Sequence, residues 1–175
     1  LSSYLTADIA LDNKVDSVFI LLSDHEKISQ LIMPAVGRMG QNEDSVKSFV
    51  RRKLIGGILL LNGTKDQFKK WVTNFNKINR TRAGLPFLYS ADAEPSLVNR
   101  KIIGSTKVLK STDLTDVEKV ENTAQTISSD LIDIGINYNF APVVDMSSNK
   151  TVGYRGFGKN PDNILPFSKA FIRVM

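Results

Sequence analysis

The sequence holds no cysteine, one histidine and one tryptophan in 175 residues, and each scarcity removes a class of function. Without thiols there is no disulfide framework, no thiolate nucleophile and no cysteine-based metal site. His25 has no histidine companion, whereas metal ligation needs several ligands converging, and its place inside Ser23-Asp24-His25-Glu26 reads as a capping turn. Long apolar runs are also missing: nothing approaches the roughly 20 consecutive apolar residues of a membrane-spanning helix. One sign of charge is in mild excess, a formal net charge of +5. The denser basic groups, Arg51 to Lys53 and Lys69-Lys70, fall on predicted helices with no aromatic residues interleaved, so they read as solvated faces and no nucleic-acid partner is expected.

What is present is a chain with 42% hydrophobic and 23% charged residues, enough of both for one globular domain with a core. Leu11, Val15, Val18 and Leu22 recur at helical spacing, and the Ser23 to Glu26 capping box opens a second lead-in helix carrying Ile28, Leu31 and Ile32. Pro34 cannot continue a helix, so the chain turns extended before Gly37. Next, Val46, Phe49 and Val50 mark one face of a helix over 44–53, and Gly56-Gly57 breaks it before the continuous apolar run Ile58 to Leu61. Such a run suits a strand buried on both faces, as in a parallel sheet. Phe68, Trp71, Val72, Phe75 and Ile78 form a 3.6-residue stripe that ends near Gly84, which makes Trp71 a packing residue rather than a sugar platform. Pro86 to Ser90 is the next strand, and 91–110 reads as a loop long enough to be functional. Thr115 and Glu118 form a second capping box, followed by an apolar seam from Val117 to Ile134 and a stop at Gly135. Asn160-Pro161-Asp162 starts a last helix, within which Pro166 is expected to delay or bend the chain.

The densest chemistry lies between Gly135 and Gly158. A helix stop, a short buried strand over 136–140 ended by Pro142, the carboxylate of Asp145 and a Gly-rich loop bearing Arg155 make one βα unit. Helices alternating with short apolar strands argue for an α/β fold with a parallel sheet and right-handed crossovers. In such folds ligands bind past the carboxyl ends of the strands, where loops vary while the scaffold holds still. Asp92, Asp145 and Arg155 all fall at such positions.

Residues 135–145, GINYNFAPVVD, followed by residues 153–164, GYRGFGKNPDNI, resemble the strand-four signature of glycoside hydrolase family 3, in its branch of bacterial β-N-acetylhexosaminidases. LIGGILLL at 54–61 resembles that family's second strand, and LPFLYSADAEPSLVNR at 85–100 its third strand and sugar-binding loop. VDSVFILLSDHEKISQLIM at 15–33 is similar to the lead-in of the enzymes from the Bacteroidetes group. The resemblance implies a partial (β/α)₈ barrel of about four βα units, the N-terminal portion of a domain that needs roughly 250 residues when complete. It also implies sugar-binding roles in the −1 subsite for Asp92, Arg100 and Arg155, with Asp145 matching a strand-four aspartate that orders the loop. Where the family has Gln-Glu-Gly-Gly-Arg after its aspartate, this chain has Ala93-Glu94-Pro95-Ser96-Leu97; it also has Gly156 in place of a serine and Tyr154 in place of an acid.

Family enzymes retain anomeric configuration, and their nucleophile and acid/base come from segments that have no match here. The expectation is therefore a carbohydrate substrate, no cofactor, no metal, and catalytic carboxylates located downstream of Met175. The periplasm or cell envelope is favoured over the cytoplasm. A half-barrel also leaves strand edges open, so the chain is expected to associate with itself or with a missing C-terminal half. Two other readings stand beside this one: a non-catalytic carbohydrate-binding or interaction module on the same scaffold, and an unrelated phosphate-handling barrel using the loop Gly153 to Gly158.

Overall fold

The computed structural model describes residues 8–146 and 152–175. Two helices lead in: α1 (Ile9–Leu21), capped by Asp8, and α2 (Asp24–Ser29), opened by a complete Ser23/Glu26 capping box. The Glu26 carboxylate accepts from both the amide and the hydroxyl of Ser23, with Lys53 at 3.1 Å, and its pKa is held down at about 2. The apolar side chains of α1 include Leu11, Val15 and Phe19, yet none is buried.

The chain then alternates through β1 (Ala35–Val36), α3 (Glu43–Arg51), β2 (Gly57–Leu60), β3 (Gly63–Thr64), α4 (Lys65–Thr81), β4 (Leu88–Ala91), α5 (Val98–Lys101), β5 (Ile102–Ile103), α6 (Val117–Ile134), β6 (Tyr138–Asn139) and α7 (Pro161–Val174). Strands β1, β2, β4 and β6 form one parallel sheet in that order, with Ala35 opposite Leu59, Ile58 opposite Tyr89, and Ser90 opposite Tyr138. Parallel neighbours demand crossovers; α3, α4 and α6 supply them, and α7 follows β6. The core lies between sheet and helices, where Val46, Val50, Ile58, Phe68, Phe75, Ile127 and Phe171 are buried. Trp71 stacks on Phe68 and donates its indole N–H to Glu43 at 2.8 Å, tying α4 to α3 as a packing residue should. The four-stranded parallel sheet with its helices fits the expected partial barrel. Among the described residues no helix is long and apolar enough to cross a membrane.

The structure corrects the sequence reading at four places. The stretch 91–110 is not a plain loop: it holds α5 and β5, and β5 pairs with β3 in a separate two-stranded parallel sheet. Two-residue strands carry no periodicity to read. The cap of α6 is Asp116, whose carboxylate accepts from the Lys119 amide at 2.8 Å, while the Thr115 hydroxyl caps no amide: it donates to Asp116 and accepts from Lys119 Nζ at 2.8 Å. A carboxylate one residue closer to the helix competes better for its amide dipoles. The strand expected over 136–140 is buried only at its start, since Tyr138 and Phe140 are half-exposed on the outer strand of the sheet. Pro166 does not delay α7, which starts at its Asn160 cap and runs through the proline to Val174.

Candidate functional site

Because the sheet is parallel, β4 and β6 deliver their carboxyl ends side by side. Two asparagines of the apolar run fasten them. Asn137 accepts from the Tyr89 amide at 2.9 Å and donates to the Phe87 carbonyl at 3.1 Å. Asn139 accepts from the amides of Ala93 and Ala141 at 3.0 and 3.1 Å. Spacing of two puts both amides on one side of an extended chain, so side chains continue the pairing where the short ladder stops.

Asp92 is the first residue past β4. Its Oδ2 accepts from Lys101 Nζ at 2.9 Å. Glu94, with a side chain only 2% exposed, accepts from Arg155 Nε at 2.6 Å, and Lys101 Nζ stands 3.6 Å from its other oxygen. Burial opposes the charge on Arg155, but the Glu94 carboxylate, aided by Asp92, outweighs it and raises the guanidinium pKa. Two carboxylates and two cations therefore alternate in one cluster at the carboxyl end of the sheet.

The backbone around Arg155 is clasped by serines. Ser96 Oγ donates to the Tyr154 carbonyl at 2.7 Å and accepts from the Ser111 amide at 3.0 Å, while Ser111 Oγ donates to the Arg155 carbonyl at 2.7 Å. A side chain at Gly156 would press on the Val143 and Asp145 carbonyls at 3.0 and 3.3 Å, so glycine lets this turn lie against the segment that follows β6.

The structure brings Asp92 and Arg155 into one cluster but does not bring Arg100 there. Successive helical residues diverge by about 100°, and with Lys101 turned toward Asp92, Arg100 is exposed. Asp145 is also exposed; its main-chain carbonyl borders Gly156, and its carboxylate makes no hydrogen bond to another described residue. Glu94 and Ser96, seen in the sequence only as part of an altered loop, and Lys101 and Ser111 were not singled out as site residues. Glu94 had a readable signal: an acid two residues after the strand-end Asp92 falls on the same side of an extended chain. Lys101 had none, because neighbouring cations on a four-residue helix differ only by a rotation that packing sets. Among the described residues, no three metal-ligating side chains converge.

Carboxylates accept and guanidinium donates, so the open side of this cluster can hold neutral polyhydroxylated molecules through directed hydrogen bonds. Residues 24–175 match the family described as the glycosyl hydrolase family 3 N-terminal domain. A β-hexosaminidase of Actinobacillus pleuropneumoniae is 31% identical over 105 residues, covering 55% of this chain and 30% of that protein. A β-hexosaminidase of Vibrio cholerae is 28% identical over 134 residues, covering 74% and 40%. The structure of a family 3 β-N-acetylglucosaminidase from Paenibacillus sp. superposes with a TM-score of 0.75 at 25% identity, over 87% of this chain and 31% of that one. The chain thus spans well under half the length of these relatives.

Proposed function

The chain belongs to the glycosyl hydrolase family 3 N-terminal domain family, and from that membership we propose that its protein is a retaining β-glycosidase acting on terminal β-linked sugars, in the first instance N-acetylhexosaminides. Residues 1–175 are the N-terminal portion of its barrel domain and one wall of its −1 subsite. The observation that carries this reading is the convergence of Asp92 and Arg155, with Glu94 and Lys101, at the carboxyl end of β4. Asp92 accepts from sugar hydroxyls and Arg155 donates to them. Arg100 stands exposed on α5, and the main chain of Asp145 lies under Gly156. A retaining mechanism needs two carboxyl groups about 5 Å apart, one of them free to attack. Asp92 and Glu94 are each paired with a cation, which suits hydroxyl binding and leaves the nucleophile and acid/base to other segments.

The test is turnover of aryl β-N-acetylglucosaminide, β-glucoside and β-xyloside by the protein expressed from its complete reading frame. Asp92→Ala is expected to lower kcat/KM at least tenfold, because charge-assisted hydrogen bonds contribute about 1.5–3 kcal/mol each. An unchanged rate refutes the role of Asp92. The loop Pro95-Ser96-Leu97 favours a second reading, a binding module without catalysis, and sugar-induced spectral shifts with no turnover of any of the three substrates would establish it.

A further inference from the structure

Glu94 is the charged side chain of the cluster that solvent scarcely reaches, and it alone touches both cations. A buried carboxylate is costly unless its partners are held in place. Here Lys101 comes from α5 and Arg155 from the turn before α7, so one side chain joins two separate loops. Its backbone is fixed as well, since the Glu94 carbonyl accepts from the Leu97 and Val98 amides at 3.1 and 2.9 Å and so starts the turn into α5.

The geometry of the Arg155 contact matters for function. Glu94 engages Nε, the donor nearest the backbone, at 2.6 Å. The two Nη groups, which carry four of the five N–H donors of a guanidinium, make no hydrogen bond to another described residue. They form the fork that a pair of hydroxyls would meet. On the other side, Lys101 lies between Glu94 and Asp92, so the same buried charge bears on the carboxylate that accepts from the ligand.

We infer that Glu94 is the positioning residue of the sugar site: a buried counter-ion that aims Arg155 through Nε and, through Lys101, steadies Asp92, without meeting the ligand itself. This rests on the glycosidase reading above.

Glu94→Gln in the protein expressed from its complete reading frame is the direct test, because it keeps the shape and the backbone bonds and removes the charge. KM for an aryl β-N-acetylglucosaminide is expected to rise about tenfold while kcat changes less than about threefold, the pattern of lost ground-state binding. Combined with Arg155→Lys, the loss should fall clearly short of the product of the two single losses, since both substitutions act on one fork and only the Lys101 arm of Glu94 is left to add. Glu94→Asp, which keeps the charge but withdraws it by a methylene, should recover part of the loss; it also carries the cycle if Glu94→Gln does not fold. Multiplicative losses in the double variant, or a lowered Tm with unchanged KM, overturn the inference. The Arg155 Nε–Hε cross-peak in nitrogen-15 spectra reads the pairing without any sugar. It should shift in Glu94→Gln, and an unmoved peak also overturns the inference. If the unmutated protein neither turns over nor binds a sugar while that peak still responds, the glycosidase reading has failed and the sugar-positioning role with it, leaving only the ion pair.

Discussion

Asp130 on α6 shows how one side chain can fasten three segments. Its side chain is 8% exposed, and it accepts from Lys65 Nζ at 2.6 Å and from the Thr106 amide at 2.6 Å. Burial by itself would push its carboxyl upward, but the Lys65 and Thr106 hydrogen bonds outweigh that and leave the pKa below its ordinary value. A depressed pKa gives stability that is fully present above the unfolded value near 4 and is lost as pH falls through the lower folded value. Asp130→Asn should cost about 1–3 kcal/mol at pH 7 and flatten the loss of Tm between pH 4 and pH 2, measured by thermal melts across that range. An equally steep acid limb in the variant would assign it to other carboxylates. At Gly37, φ is +131° and a Cβ would lie 1.8 Å from the Leu61 carbonyl oxygen. Gly37→Ala should therefore cost at least about 1–3 kcal/mol of backbone strain, read as a lowered denaturant midpoint. At this scale Asp92 and Arg155 were legible because strand-end position and motif spacing mark them. Arg100 and Lys101 were not told apart, because only packing sets the rotation of α5.

Elements were legible in proportion to their length. The stripe of α4 and the seam of α6 repeat over several turns, and each repetition is a separate statement about the buried face. Strands β3 and β5, two residues each, repeat nothing, and they pair only because α4 and α5 bring them together. The α6 cap gives a discriminating experiment. Asp116→Ala should destabilise by about 1 kcal/mol, and Thr115→Ala by a few tenths at most, in chemical denaturation of the two variants. The reverse order would restore the capping box expected from Thr115 and Glu118. The Trp71 indole, bonded to Glu43, offers a second check on α3 and α4. The Lys47 hydrogen bond, then that of Trp71, holds the Glu43 carboxyl below its ordinary value. Trp71→Phe keeps an aromatic ring but loses the bond and the pyrrole half of a buried indole, so it should lower stability by more than the about 0.5–1.5 kcal/mol of a hydrogen bond alone, again by chemical denaturation.

On the scale of the whole molecule, the sheet has two outer strands, β1 and β6. Beside β6 a groove of about 500 Å³ is lined by Tyr138, Ala141, Ile172 and Met175. Phe140 packs edge-on against Tyr138, and Val144 and Met146, further along the chain, are exposed as well. Unpaired edges and apolar patches recruit partners, so the isolated 175-residue chain is expected to self-associate, and light scattering at rising concentration should show a mass above one chain. A persistent monomer would mean that the patch closes on itself. The sequence by itself determined the fold class, the order of the longer elements, the family and two residues of the candidate site, since periodicity, caps and motif spacing are properties of neighbours along the chain. Tertiary structure alone decided which cation serves Asp92, that Glu94 is the buried centre of the cluster, and that serines 96 and 111 clasp the Arg155 backbone. Those facts join residues from several to some sixty positions apart, and their geometry depends on how the sheet aims its loops rather than on any local pattern.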